Sequence, residues 1–300
     1  MTITARRPPT SRRTPSQRWL HLTLSCISLL FIVPFIIVVS ASFTDGDALT
    51  REGYQLLPSH ASLEAYRVIF SNPTQLLRAY GVSIFVALVG SSVGLLIMAL
   101  IAYPISRAEF RFRAVVSVLV FIPLIFNGGL VPNYILITQY LHLQDTLAVL
   151  ILPGLVVPFF VLLLVSYFRG LPSEILEAAR LDGAGEWQIF FSFVLPLSTP
   201  ALATVGLFSL LNYWNDYYTG LLYLGDRNLY PLQLLLFNIL NNIQFLASGT
   251  LKDLSHTTAA TPVEPVRMAL AVLATAPLLI AFAFLQRFFI RGLTLGSTKG

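Results

Sequence analysis

Charge is what this sequence has least of. Asp, Glu, Lys and Arg together make up 11% of the 300 residues, where a soluble domain carries about a quarter. That shortage excludes a water-solvated surface over most of the chain. Cysteine is nearly absent as well: Cys26 stands alone inside the first apolar block, which excludes an intrachain disulfide. Lysine occurs only as Lys252 and Lys299, and neither follows a glycine in a Gly-Lys-Ser/Thr phosphate loop. Nucleotide is therefore not bound by that device. Ionisable groups within the apolar blocks are also scarce, Asp216 being the main one and His21 lying at an edge. A proton path has little to run on, although an ion-coupled carrier or channel remains the rival class. No catalytic residue, metal site or bound cofactor is expected.

What the chain does have is apolar residue in long blocks, 56% of the total, with a mean hydropathy of +0.75. Six spans are expected, over residues 19–43, 82–103, 114–126, 146–168, 200–222 and 266–290. The first, at about 1.5 Å per residue, is long enough for the roughly 30 Å of hydrocarbon. It is too long for the apolar region of a signal peptide, and is read as an uncleaved anchor. The third runs into Asn127-Gly128-Gly129-Leu130-Val131-Pro132, a break tolerated at membrane depth only where protein or a water-filled cavity satisfies the backbone. No internal repeat marks the inverted halves of a secondary transporter. The expected fold is all-α and integral to the membrane.

The basic residues are distributed unevenly. Arg6, Arg7, Arg12, Arg13 and Arg18 fill the tail 1–18, and Arg107, Arg111 and Arg113 follow the second span. Lys and Arg are retained on the cytoplasmic side, so both termini are expected there, with 291–300 as a short second tail. A net charge of +5 then reports topology and contact with anionic lipid rather than a nucleic-acid partner.

The segment 169–195 is unlike a plain connector. Ser173 follows Pro172 as a candidate N-cap, and Glu174 and Glu177 put negative charge in the first turns, where the helix dipole favours it. Ile175, Ala178 and Ala179 share one face. Gly183, just past Asp182, ends the helix. Trp187, Phe190, Phe191 and Val194 then recur as an apolar stripe, stopped by Pro196. Two readings fit: an amphipathic hairpin resting on the bilayer, or a small-residue knob that another surface approaches.

The residues Glu177-Ala178-Ala179, Gly183, Phe193 and Leu195-Pro196, at their spacing, resemble the EAA loop of permease subunits in binding-protein-dependent ABC importers. The resemblance extends to Ala102–Arg107, Gly128–Pro132, Tyr213–Asp216 and Gln286–Thr294, and is to the carbohydrate-uptake class, near the second permease of the maltose importer. The Gly-Gly-Leu-Val-Pro variant is similar to a branch that includes acidic oligosaccharide importers. The resemblance implies a type I importer permease fold on the bacterial cytoplasmic membrane. It implies a homologous permease partner, an ATPase dimer that holds ATP and Mg, and an extracytoplasmic solute-binding protein delivering a sugar. It further implies that Glu174, Glu177, Ala178, Ala179, Asp182, Gly183, Leu195 and Pro196 form the joint with the ATPase, and that Gly292, Leu293 and Thr294 reach its dimer interface. The usual isoleucine is replaced by Phe193.

Sugar sites combine aromatic faces with amides. Tyr213, Trp214, Asn215 and Asp216, with Asn127 and Asn133 near the third-span break, are candidates for a translocation path; an interfacial aromatic belt is the competing reading. Leu232, Leu235, Leu236, Ile239 and Ile243 share a helical face opposite Gln233, Asn238, Asn241 and Asn242, which predicts a helix lying flat on the outer surface. The loop after it resembles one that enters the receptor in the maltose relative.

Overall fold

The computed structural model describes residues 15–247 and 263–295. Residues 1–14, 248–262 and 296–300 lie outside the described residues, and with them most of the basic tail, the receptor-like loop and the end of the second tail. The chain forms two compact units, Met1–Val68 with Leu254–Val272, and Ile69–Asp253 with Leu273–Gly300.

In the first unit, helix α1 (Pro15–Ser42) contains an apolar stretch, Leu22–Ser42, whose most apolar window is wholly unburied. Such a surface is stable only against lipid or another chain. Helix α2 (Gly46–Glu52) starts where the Asp45 carboxylate accepts the N–H groups of Asp47 and Ala48, at 3.0 and 3.3 Å. Helix α3 (Glu64–Ile69) follows, and Ser42 Oγ lies 3.0 Å from Tyr66 Oη.

The second unit is organised around α4 (Pro73–Ser106), a 34-residue helix that spans about 50 Å at 1.5 Å per residue. It starts at Asn72, whose side chain accepts the Gln75 N–H, and its helix extends beyond the expected second span mainly at the N-terminal end. Its buried face is rich in small residues, Ala87, Gly90, Ser91, Gly94, Ala99 and Ala102. Small residues let helices approach closely where no water drives them together.

The remaining apolar segments are broken. Helices α5 (Arg113–Ile125) and α6 (Leu130–Tyr140) meet at 115°, and α7 (Leu147–Gly154) and α8 (Pro158–Arg169) at 47°. After α9 (Ser173–Leu181), helix α10 (Glu186–Leu197) meets α11 (Thr199–Asn215) at 80°. Among the described residues, counting α1, α4 and α14 (Val263–Leu295) and taking each bent pair as one span brings the helices of membrane-crossing length and composition to six. The third-span break has a clear cause. Gly129 adopts φ +86, favourable only for glycine, and the Asn127 side chain accepts its N–H at 2.9 Å.

The fifth expected span, 200–222, is not one continuous helix. Its helix ends at Asn215, and after Asp216 the chain restarts as α12 (Tyr218–Tyr223), because the Asp216 carboxylate accepts the Thr219 N–H at 3.0 Å. Helix α13 (Leu232–Ala247) also differs from expectation: Leu234, off the predicted stripe, is buried together with Leu232, Leu235 and Leu236. Its first turn docks on α4, where Ser83 Oγ accepts the Leu232 N–H at 2.7 Å.

Candidate coupling site

One hydrophobic cluster runs from the spans into the 169–195 loop. Met98, Ala102 and Ile105 of α4 and Leu164 and Phe168 of α8 share it with Leu176 and Ala179 of α9 and Ile189, Phe190 and Val194 of α10. The loop is thus seated on the same core as the spans.

Helix α9 begins at Ser173 with Pro172 in the cap position and no side-chain cap bond, so the expected serine cap is not made. A proline cannot donate there, and it sets the chain direction into the first turn instead. The helix ends as expected of its glycine. Gly183 sits at φ +85, its N–H reaches the Arg180 carbonyl at 3.0 Å, and the Ala184 N–H reaches that of Ala179 at 3.0 Å. These are the paired bonds of a Schellman motif.

The two alanines do not act together. Ala179 is buried in the cluster beside Leu176, whereas Ala178 is exposed along with Glu174, Ile175, Glu177 and Asp182. In helical geometry a shift of one residue turns the side chain by about 100°, enough to cross from one face to the other. Leu181, 89% exposed, stands at the tip of this outward face.

The apolar stripe of α10 is likewise re-registered. Phe190–Val194 form a π-turn, and the buried set is Ile189, Phe190 and Val194, with Phe193 and Leu195 half-buried. Trp187, 70% exposed, and Phe191 stack on each other outside, with ring centroids 6.2 Å apart. Pro196 is exposed at the elbow, where Thr199 Oγ1 donates to its carbonyl at 2.7 Å, serving a group that Pro200 cannot.

A cavity of about 410 Å³ lies between the end of α4 and this loop, lined by Tyr103, Pro104, Arg107, Arg180, Glu186 and Trp187 among others. Tyr103 Oη donates to Glu186 Oε2 at 2.6 Å, and Arg180 Nε to Glu186 Oε1 at 3.1 Å. Burial alone would lower the Arg180 pKa; the Glu186 charge and hydrogen bond, joined by Glu109 and Tyr103, outweigh it and raise it. The Arg107 guanidinium lies over the Tyr103 ring, 5.0 Å from its centroid.

The candidate path residues separate into two groups. Tyr213 and Trp214 are buried: Tyr213 Oη donates to the Ile151 carbonyl at 2.8 Å, and Trp214 Nε1 to that of Ala274 at 3.0 Å. Asn215 is exposed and Asp216 half-buried, and with Asn212, Tyr213 and Thr219 they line a cavity of about 490 Å³ against Pro153 and Gly154. Asn127 and Asn133 are exposed at the α5–α6 break and do not line it. Gly292, Leu293 and Thr294 fall in the last turns of α14. Sequence reasoning missed Leu181, Tyr103 and Glu186, and it placed Trp187 on the stripe rather than outside it. Leu181 carried a signal, as a large apolar side chain in a polar loop.

Among the described residues, no group of His, Cys, Asp and Glu could hold a metal ion.

Bent apolar helices of membrane-crossing length, with a polar loop seated on their shared core, are those of a multi-pass membrane protein. The chain belongs to the family described as binding-protein-dependent transport system inner membrane components, whose model matches residues 90–295. It is 37% identical over 279 residues to the polygalacturonan/rhamnogalacturonan transport system permease protein YtcP of Bacillus subtilis, covering 92% of this chain and 96% of that one. It is 31% identical over 298 residues to the arabinooligosaccharides transport system permease protein AraQ of Halalkalibacterium halodurans, covering 96% and 99%. A chain from the crystal structure of a bacterial ABC transporter involved in the import of the acidic polysaccharide alginate superposes with a TM-score of 0.75. That match has 27% identity and covers 94% of this chain and 100% of the other. The fold is that of an ABC importer permease, all-α and of type I.

Proposed function

We propose that this chain is one of two homologous permease subunits of an importer for an oligosaccharide, with acidic, uronate-containing chains the first class to test. The observation that carries the proposal is the outward face of α9. Glu174, Glu177, Ala178, Leu181 and Asp182 are exposed, while Leu176 and Ala179 lock the opposite face to the core of the spans. A helix so placed is a lever: force applied to its open face reaches α4 and α8 through close-packed side chains, which transmit strain. The force comes from a separate ATPase dimer that holds the ATP and Mg; this chain supplies no hydrolytic group. Both termini and the 169–195 loop face the cytoplasm of a bacterial inner membrane, and a solute-binding protein delivers the sugar to the opposite side. The solute class is supported by relatives named for polygalacturonan/rhamnogalacturonan and arabinooligosaccharide transport and by the alginate importer. The cavity beside Asn212, Asn215 and Asp216 offers amides and a carboxylate to hydroxyls.

Affinity purification in mild detergent from the native host tests the assembly; recovery of the chain free of any ATPase would overturn it. The co-purified receptor, titrated with uronate and neutral oligosaccharides, tests the solute. Binding of amino acids or peptides in place of either glycan would refute the sugar assignment.

A further inference from the structure

A single carboxylate joins three separate pieces of the transport machinery. Glu186 opens α10, and its two oxygens are taken by donors from different elements: Oε2 by Tyr103 in the last turn of α4, at 2.6 Å, and Oε1 by Arg180 in the last turn of α9, at 3.1 Å. The Tyr103 ring that presents the hydroxyl is itself held. Phe190 packs on it with centroids 5.3 Å apart, and the Arg107 guanidinium lies over it. Arg180 belongs to the turn that the Gly183 cap completes, since its carbonyl accepts the Gly183 N–H. Glu186 belongs neither to the EAA residues nor to the outward face of α9, and the core cluster would bury Ile189 and Phe190 without it.

We infer that Glu186 is a positioning residue for transport, a latch that makes the α9 lever and the end of α4 move as one body. The inference rests on the proposed lever. Apolar packing between α9 and α4 is non-directional and allows sliding. Two charge-assisted hydrogen bonds on one carboxylate fix direction as well as distance. Without the latch the ATPase still cycles, and α9 moves over α4 without drawing the span with it.

The test uses the assembled importer, with its own ATPase, partner permease and receptor, in proteoliposomes, and measures solute moved per ATP hydrolysed. Tyr103→Phe removes one hydroxyl and keeps the ring against Phe190. It is expected to cut the transport-to-hydrolysis ratio at least fivefold while receptor-independent hydrolysis stays within twofold of wild type. Glu186→Gln has no charge to attract Arg180 and is expected to lower the ratio by a similar factor. The double variant should be no worse than the worse single, as for residues acting through one contact. Unchanged ratios, or uptake and hydrolysis falling in proportion, would overturn the latch. If Tyr103→Phe does not assemble, Arg180→Lys keeps the charge, loses the side-on Nε donor, and gives the same readout. A wild-type complex that hydrolyses ATP on adding receptor yet moves no glycan counts against the solute assignment alone. The latch is then read from the receptor-stimulated to basal hydrolysis ratio, which the variants should flatten.

Discussion

Gly183 allows backbone strain to be separated from occlusion at the proposed joint. Its φ of +85 lies in the left-handed region, which costs an L-residue with a Cβ about 1–2 kcal/mol. A Cβ built there meets nothing within 4 Å, so within this chain Gly183→Ala is a pure strain perturbation. At about 1.4 kcal/mol per factor of ten, the closed Schellman turn would lose roughly 5- to 30-fold in population. Asn tolerates the left-handed conformation better than Ala, so Gly183→Asn relieves strain while adding volume. Strain alone orders uptake as glycine, then asparagine, then alanine. A partner surface pressed against the turn reverses the last two, because the larger side chain then obstructs the contact. We expect the reversed order in radiolabelled uptake by membrane vesicles, with both variants inserted at wild-type levels. Asparagine restoring wild-type uptake would refute the idea that this turn is pressed against a partner.

Gly90→Ala should destabilise the bundle by about 1–3 kcal/mol through overpacking, since its Cβ would fall 2.6 Å from the Tyr213 ring, which is pinned by its bond to Ile151. Thermal unfolding in detergent, followed by circular dichroism, should show the loss; an unchanged midpoint would mean the ring can move. Tyr213→Phe strands the Ile151 carbonyl at the α7 break and should cost about 1–3 kcal/mol by the same assay. If instead Tyr213 serves chiefly to contact solute, stability will hold while uptake falls. The Asp145 carboxylate accepts the N–H groups of Asp226 at 2.9 Å and Gly225 at 2.5 Å, which hold its pKa below the ordinary carboxylate value. A depressed pKa means the stabilisation is present above the unfolded value and is lost as pH falls through the folded one. Hydrogen exchange at Gly225 and Asp226 should therefore be protected at neutral pH and, corrected for intrinsic rates, accelerate only under strong acid. In Asp145→Asn it should be faster at neutral pH, and equal protection there would count against the carboxylate bonds.

Much of the architecture was legible because the bilayer imposes long-wavelength demands that sequence expresses directly: few charges, long apolar blocks, and glycine where a helix must end or turn. The Gly129 break and the Gly183 cap could be located because a positive φ leaves glycine as the favoured residue. What sequence periodicity could not supply was the register of each face. Ala178 and Ala179 differ by one step along a helix, and only the packing of Leu176 onto α4 and α8 decides which of them is hidden. The π-turn at Phe190–Val194 rotates the α10 stripe away from Trp187, and a period of 3.6 has no means of announcing it. Tyr213 and Trp214 look like solute contacts when read along the chain; in space the Tyr213 ring lies against Gly90 and Gly154, and both side chains donate to backbone carbonyls. The Tyr103–Glu186 contact joins residues 83 positions apart, a separation at which composition and spacing carry no information. Sequence by itself determined that this chain spans a membrane and carries a polar, helix-forming loop between its fourth and fifth apolar blocks. Tertiary structure decided which side chains hold that loop to the spans, because burial and hydrogen-bond partnership are properties of neighbours, and neighbours are chosen only when the chain folds.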